Sequence, residues 1–288
     1  MDDDSMPALV DPKWVAGRLD TPDVRVLDCT VYLSTDQNGE YQLQSGYDNW
    51  VDSHIPGSGF ADLIEDLSET EDPDYPFQLP TPEDFAAAVG DLGVGNHSRV
   101  VLYDTVDAGN NNEWAARLWW MFRVFGHDRV GVLDGGWARW AAEDRPVSTT
   151  VTKPEPTTFT ADYRPELVAD KEDVQARLEG DDACLINALR PSDHAAQRIP
   201  NSENVPAVGD DAVITDNGTY QPEERLRERF ADAGATDAEE VITYCGGGIA
   251  ASSEALALYH AGITDAAVYD GSLTEWTADP DRPVESDS

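Results

Sequence analysis

Residues 244–253 of this chain are Tyr244-Cys245-Gly246-Gly247-Gly248-Ile249-Ala250-Ala251-Ser252-Ser253. The apolar run 241–244 before the cysteine predicts a buried strand, and the alanine-rich run 250–260 predicts a helix that stops at Gly262. A strand that ends in cysteine and turns through three glycines into a helix places the sulfur at the helix N-terminus. Backbone N–H groups lack intrahelical partners there and the helix dipole is positive, so this turn favours an anion.

Two interpretations of Cys245 follow from this loop. In the first, Cys245 is a nucleophile, because the thiolate is the reactive form and an ordinary cysteine is only about a few per cent thiolate near neutral pH. A positive helix end beside the sulfur would increase that fraction. In the second, Cys245 packs as a small apolar residue, which is common for a cysteine at the end of a strand. The loop alone leaves both interpretations open.

The rest of the chain contains an internal repeat. Strand-like runs and an Ile-Pro turn occur in the first half and recur in the same order about 140 residues later. The matched pairs are 24–28 with 183–187, 54–58 with 198–202, 100–104 with 241–245, and 132–136 with 267–272. Alternating strands and helices in each half predict two α/β domains of similar fold.

The repeat also predicts the domain boundaries and the location of the site. Residues 1–146 form the first domain, the Thr- and Pro-rich stretch 147–165 is an extended linker, and residues 166–288 form the second domain. In the repeat Cys245 corresponds to Asp104, and the loop 104–110 has neither a cysteine nor a glycine run. We therefore expect a structural first domain without a nucleophile and a catalytic second domain.

The charge of the chain is extreme. Asp and Glu number 57 against 19 Lys and Arg, which gives a net charge of −38 spread over loops and helices alike. Such a surface disfavours binding to nucleic acid or to an anionic membrane. It resembles the surfaces of proteins from salt-accumulating halophiles.

Cysteine usage and the apolar runs restrict the class of protein further. Cys29, Cys184 and Cys245 are too few and too dispersed for a disulfide framework or a zinc site, so we expect no metal and no cofactor. Unpaired cysteines fit a reducing compartment. No run approaches the roughly 20 apolar residues of a membrane span, and the acidic start 1–4 is unlike the basic start of a signal peptide. We expect a cytoplasmic protein.

At this point the chain resembles the two-domain rhodaneses, which are thiosulfate and 3-mercaptopyruvate sulfurtransferases. The resemblance covers nearly the whole chain and lies in five segments, namely 53–58, 119–127, 132–137, 245–250 and 269–272. It implies an α/β fold of two tandem rhodanese-like domains, each a mostly parallel sheet flanked by helices. It also implies that a sulfane sulfur passes to Cys245 as a persulfide, and from there to cyanide or a thiol. The partners are then a small sulfur donor and a small or protein acceptor.

The resemblance implies the site residues as well. Cys245 is the catalytic nucleophile, and the backbone of the loop binds the donor through Gly246, Gly247, Gly248, Ile249 and Ala250. Arg190 is our candidate for the donor's anionic group, because a guanidinium can bind two oxygens at once. Arg198, in the second Ile-Pro turn, is a weaker candidate.

The loop departs from both donor patterns of the family. Thiosulfate-type loops often carry cationic residues, and mercaptopyruvate-type loops carry hydroxyl residues where this chain has Gly247 and Ala250. We favour thiosulfate, because backbone amides and Arg190 can still hold its anionic group. The alternatives are a 3-mercaptopyruvate sulfurtransferase, or a sulfur carrier or sensor without turnover. A cysteine phosphatase is disfavoured, since its phosphate-binding arginine would fall at Ala251.

The acidic composition generates a prediction about salt. At molar salt the screening length falls to about 3 Å, which suppresses repulsion among the carboxylates. We expect the protein to fold in molar KCl and to lose structure when the salt is removed. Circular dichroism across a KCl titration measures this, and full stability in dilute buffer would contradict it.

Overall fold

The computed structural model describes residues 6–35, 41–105, 112–178 and 183–287. Its contacts divide the chain into two compact units. Unit 1 comprises Met1–Thr70, Leu79–Tyr163 and Asn217–Thr219, and unit 2 comprises Glu71–Gln78, Arg164–Asp216 and Tyr220–Ser288.

Unit 1 is built on a five-stranded parallel sheet with the order β1-β7-β6-β2-β5. Strands β3 and β4 form a separate antiparallel hairpin. The strands and helices of unit 1 are β1 (Leu9–Val10), α1 (Pro12–Ala16), β2 (Val24–Asp28), β3 (Val31–Thr35), β4 (Tyr41–Ser45), α2 (Tyr47–Asp52), β5 (Gly59–Phe60), α3 (Pro82–Asp91), β6 (Arg99–Tyr103), α4 (Glu113–Val124), β7 (Val130–Leu133) and α5 (Gly136–Ala142).

Unit 2 is built on a second five-stranded parallel sheet with the order β8-β12-β11-β9-β10. A short 3₁₀ turn, Pro165–Leu167, precedes its first strand. Its strands and helices are β8 (Val168–Ala169), α6 (Lys171–Arg177), β9 (Ala183–Asn187), α7 (Pro191–Ala196), β10 (Ser202–Asn204), α8 (Glu223–Asp232), β11 (Glu240–Tyr244), α9 (Ile249–His260), β12 (Ala267–Tyr269) and α10 (Ser272–Trp276).

The two sheets have the same topology, so the predicted α/β fold with two similar units is confirmed. Taken in order, β1, β7, β6, β2 and β5 correspond to β8, β12, β11, β9 and β10. The central strands β6 and β11 are buried on both faces, as expected of parallel strands covered by helices. That burial explains why their sequences are continuous apolar runs and not alternating ones.

Each unit contains the same tyrosine and tryptophan hydrogen bonds at corresponding positions. The Tyr103 hydroxyl accepts a hydrogen bond from the Ile55 N–H at 3.4 Å, and the Tyr244 hydroxyl accepts one from the Ile199 N–H at 3.0 Å. The indole N–H of Trp140 donates to the Pro146 carbonyl at 2.8 Å. In unit 2 the Trp276 indole donates to the Pro283 carbonyl at 2.9 Å. The tyrosine bonds hold the Ile-Pro turn of each unit in place. The tryptophan bonds tie the last helix of each unit, α5 or α10, to the segment that follows it.

The stretch predicted as a linker packs along unit 1 before it reaches unit 2. It contains no helix or longer strand before Pro165. Phe159 is buried, with ring contacts to Phe85 and Phe122, and the Thr157 N–H donates to the Gly90 carbonyl at 2.9 Å. The boundaries 1–146, 147–165 and 166–288 remain our proposal. Within the described residues, no helix has the length and apolar character needed to cross a bilayer.

Candidate active site

Cys245 lies at the carboxyl edge of the sheet of unit 2. It follows β11 directly, is 2% exposed, and leads through Gly246–Gly248 into α9. Gly248 has φ = 80°, a left-handed conformation that favours glycine and turns the chain into the helix. The structure therefore contains the strand–glycine–helix turn that the sequence predicts.

The N-terminus of α9 is open to a ligand. No side chain caps it, and the first intrahelical bond runs from the Ser252 N–H to the Gly248 carbonyl at 3.2 Å. Within the described structure, the N–H groups of Ile249 and Ala250 have no acceptor. Free N–H donors at the positive end of a 12-residue helix form a site for an anion at the end of the loop that begins with Cys245.

Ser272 is the residue that shapes this loop, and the sequence analysis missed it. Its Oγ accepts hydrogen bonds from the Cys245 N–H at 3.0 Å and the Gly248 N–H at 3.2 Å, so it connects both ends of the loop. It donates to the Tyr269 carbonyl at 2.8 Å and lies 4.0 Å from Sγ of Cys245. Its φ of 48° is unusual for a residue with a side chain, which indicates that the surrounding structure holds it there.

The other side of the loop is bonded to α10. The Leu273 N–H donates to the Cys245 carbonyl at 3.1 Å, and the Thr274 N–H donates to the Gly246 carbonyl at 2.9 Å. The Thr274 hydroxyl donates to the same Gly246 carbonyl at 2.7 Å. The repeat held a signal for both hydroxyls, because Ser272 and Thr274 stand where the first copy has Gly136 and Ala138.

Beneath the loop, a buried polar cluster holds β11 in place. The Tyr244 hydroxyl accepts hydrogen bonds from Asn187 Nδ2 at 3.1 Å and the Ile199 N–H at 3.0 Å, and it lies 2.7 Å from Ser202 Oγ. Burial raises the pKa of Tyr244, so the phenol stays protonated at neutral pH. The residue before Cys245 is therefore a fixed support and not an acid–base group.

The two candidate arginines differ in their surroundings. Arg190 is exposed, precedes α7, and follows β9, which pairs with β11 so that both strands end at the same edge of the sheet. In the described part of the chain Arg190 makes no ion pair. Arg198 is bound by Glu285 at 3.5 Å and Asp287 at 2.9 Å. Arg198 thus fastens the C-terminal segment, whereas the guanidinium of Arg190 remains available.

Asp104 occupies the position in unit 1 that corresponds to Cys245. Its carboxylate Oδ2 accepts hydrogen bonds from the N–H groups of Trp114 at 2.8 Å and Ala115 at 3.0 Å, in the first turn of α4. The Trp137 N–H bonds to the Asp104 carbonyl, as the Leu273 N–H does to that of Cys245. The first copy therefore fills its helix terminus with its own carboxyl group. Residues 106–110 of the loop that we compared lie outside the described structure.

The other two cysteines are buried thiols in packed surroundings. Cys29 Sγ lies 3.4 Å from the Tyr103 carbonyl oxygen, and burial raises the pKa of its thiol. Cys184 Sγ lies 3.2 Å from the Ala233 carbonyl oxygen, and burial raises its pKa to about 11. Both thiols stay protonated near neutral pH. Among the described residues, no group of His, Cys, Asp and Glu could hold a metal ion.

Known proteins resemble this chain over nearly its whole length. The family model for the rhodanese-like domain matches residues 11–143 and 170–279. The thiosulfate sulfurtransferase of Rattus norvegicus is 35% identical over 285 residues, which cover 93% of this chain and 91% of the rat protein. The 3-mercaptopyruvate sulfurtransferase of Homo sapiens is 32% identical over 287 residues, with the same shares covered.

A solved structure agrees with these matches. The crystal structure of SseA from Escherichia coli, a 3-mercaptopyruvate sulfotransferase, superposes with a TM-score of 0.80 at 28% identity. The match covers 93% of this chain and 99% of that one. The chain is thus similar to thiosulfate and to 3-mercaptopyruvate sulfurtransferases alike.

The buried carboxyl group of Asp104 generates a prediction about stability. Burial raises its pKa to about 8, with Asp28 and Glu113 contributing in the same direction, while the two bonded N–H groups oppose the shift. The folded protein then keeps a proton that the unfolded chain releases near pH 4. The contribution of Asp104 to the free energy of unfolding is complete at low pH. It falls as pH rises towards about 8, by up to about 1.4 kcal/mol per pH unit.

Asp104→Asn retains an acceptor oxygen but cannot ionise, so we expect a weaker loss of stability between about pH 5 and 8. Urea unfolding in molar KCl at several pH values measures the slope. Asp48→Asn, a change at an exposed position on α2, is the matched control and should keep the wild-type slope. Equal slopes for Asp104→Asn and the wild type would contradict the prediction.

Proposed function

This chain belongs to the rhodanese family of sulfurtransferases, and from that premise we propose that it carries a sulfane sulfur from thiosulfate, through a persulfide on Cys245, to cyanide or a thiol. The observation that carries the proposal is the position of Cys245. Cys245 is separated by only three glycines from a helix whose first N–H groups have no protein acceptor in the described structure. Such a site can stabilise each anion that the reaction forms in turn.

In the first half-reaction the Cys245 thiolate attacks the outer sulfur of thiosulfate. A new S–S bond forms to Sγ, the S–S bond of thiosulfate breaks, and its electron pair leaves on sulfite. The product is a persulfide anion on Cys245. The N–H groups of Ile249 and Ala250 are the donors that we assign to the sulfur anion, and Arg190 is our candidate for the sulfonate oxygens.

In the second half-reaction the acceptor attacks the terminal sulfur of the persulfide. With cyanide, a C–S bond forms, the S–S bond breaks, thiocyanate leaves, and the electron pair returns to Cys245 as a thiolate. With a thiolate acceptor, the same exchange gives a new persulfide on the acceptor. No cofactor or metal is needed for the balance of either step.

The loop residues explain our preference for thiosulfate. Thiosulfate arrives as an anion and its leaving group is an anion, so amides and one guanidinium suffice and no proton has to be delivered. In 3-mercaptopyruvate the leaving carbon must acquire a proton, and Gly247 and Ala250 supply no hydroxyl for that transfer. The relatives named for 3-mercaptopyruvate keep that donor as the second candidate.

The proposal includes a reducing, salt-rich cytoplasm as the setting. Cys29, Cys184 and Cys245 are all free thiols in the structure, and a persulfide enzyme needs its cysteine reduced. The net charge of −38 supports high salt, since screening at molar ionic strength relieves the repulsion.

A donor comparison tests the proposed reaction. We expect wild-type protein in molar KCl to form thiocyanate from thiosulfate and cyanide faster than it does from 3-mercaptopyruvate and cyanide. Cys245→Ser should abolish turnover with either donor, because a hydroxyl is a far weaker nucleophile and forms no persulfide. Cys184→Ser is the control and should remain active. A folded wild type that turns over neither donor would favour the carrier or sensor.

A gain of donor affinity is expected from a cation placed in the loop. A Cβ atom at Gly246 would meet no atom within 4 Å and one at Gly247 only the Thr274 hydroxyl at 3.9 Å, and neither glycine has a positive φ. Gly247→Lys should therefore fold normally and lower the KM for thiosulfate about three- to tenfold, through a charge-assisted contact.

Two controls accompany this variant. Gly247→Gln adds a side chain without charge and should leave the KM for thiosulfate near the wild-type value. Gly248→Lys should lose stability, because Gly248 has φ = 80°. An equal KM for Gly247→Lys and Gly247→Gln would show that charge in the loop does not govern donor binding.

A further inference from the structure

We propose that Thr274 is a positioning residue for the anion site, which it serves by fixing the orientation of the peptide between Gly246 and Gly247. The inference rests on the proposed function and deepens it. Thr274 does not belong to the loop and lies on α10, 28 residues further along the chain. Its hydroxyl acts on the donor through the loop backbone and not through direct contact.

The Gly246 carbonyl accepts two hydrogen bonds, and both are donated by Thr274. The backbone N–H lies at 2.9 Å and the hydroxyl at 2.7 Å from the carbonyl oxygen. These bonds use both lone pairs of the carbonyl, so its direction is fixed towards α10. In a planar trans peptide the N–H and the carbonyl point in opposite directions. The N–H of Gly247 must therefore point away from α10.

That N–H is the group whose direction matters for an anion. Gly247 N–H has no acceptor within the described structure, as is true of the N–H groups of Ile249 and Ala250. Successive N–H groups that point to one side of a loop form a concave anion site. Rotation of the Gly246–Gly247 peptide would replace that donor by a carbonyl oxygen, which repels an anion.

The loop itself has little to prevent such a rotation. Gly246 and Gly247 have no side chains. A Cβ atom at Gly246 would lie in open space, and one at Gly247 would meet only the Thr274 hydroxyl at 3.9 Å. Glycine also has the largest range of backbone conformations. The restraint on this peptide therefore has to come from outside the loop. The side chain of Thr274 supplies such a restraint, because its hydroxyl donates to the Gly246 carbonyl.

The hydroxyl of Thr274 bonds outside its own helix. Thr277, on the last turn of the same segment, donates to the Leu273 carbonyl four residues earlier at 2.7 Å, which is the common bond of a helical threonine. Thr274 is exposed and bonds instead to a carbonyl far away in the sequence. Solvent could satisfy an exposed hydroxyl, so its bond to the loop is not imposed by burial.

The internal repeat gives an independent argument. In unit 1 the residue that corresponds to Thr274 is Ala138, and the residue that corresponds to Ser272 is Gly136. Asp104, in the place of Cys245, fills the helix terminus of that copy with its own carboxyl group. The two hydroxyls therefore occur in the copy whose helix terminus is left for a ligand.

Thr274→Val removes the hydroxyl at nearly constant shape, and Thr274→Ser keeps it. Thr277→Val is the matched control, which removes the hydroxyl bond from the residue after α10 to the Leu273 carbonyl. Two readouts are needed. The first is the KM and kcat for thiosulfate with cyanide as acceptor. The second is protection of Cys245 against alkylation by iodoacetamide, titrated with sulfate at constant ionic strength in KCl, which reports anion binding without turnover.

For Thr274→Val we expect the KM for thiosulfate to rise about three- to tenfold, as suits one hydrogen bond, with kcat changed less than the KM. The sulfate concentration for half protection should rise by a similar factor. Thr274→Ser and Thr277→Val should match the wild type in both readouts.

Two outcomes would overturn the inference. One is Thr274→Val equal to Thr277→Val in KM and in protection, and the other is failure of Thr274→Ser to restore wild-type values. A wild type that turns over no donor would refute the proposed function. The sulfate protection would then still decide whether Thr274 positions the anion site.

Discussion

The structure of the site depends on one electrostatic requirement. The helix that follows the central strand of each sheet begins with N–H groups that have no partner within the helix, and these groups need an acceptor from the protein or from a ligand. In unit 1 the requirement is met internally, since the Asp104 carboxyl group accepts hydrogen bonds from the first N–H groups of α4. In unit 2 no side chain caps α9, and Cys245 lies at that end. One architecture therefore yields a closed helix terminus in one copy and an open one in the other.

An open terminus with a glycine loop needs support from elsewhere in the fold. Ser272 bonds to the N–H groups at both ends of the loop, and Thr274 bonds to the Gly246 carbonyl between them. Tyr244 is held by Asn187 and the Ile199 backbone beneath. A loop without side chains thereby obtains a defined shape from β12–α10 and from the Ile-Pro turn, at the cost of a strained φ at Ser272.

Much of the fold was predictable because its signals are local. The apolar run 241–244 and the alanine-rich run 250–260 predicted β11 and α9, and the repeated order of segments predicted two α/β units of similar fold. Buried parallel strands require continuous apolar residues, and helices require their own period, so these patterns are present in the sequence itself. The family was expected from the resemblance of several motifs along the chain, and it is confirmed by the match over both units.

The sequence by itself determined the two α/β units, the turn that holds Cys245 and the acidic surface. Only the tertiary structure decided which groups surround that turn. Ser272 and Thr274 reach the loop from the end of another strand. Arg198 forms ion pairs with Glu285 and Asp287, whereas Arg190 forms none among the described residues. The physical reason is that a parallel sheet brings the carboxyl ends of distant strands to one edge, and no local pattern records which side chains then meet.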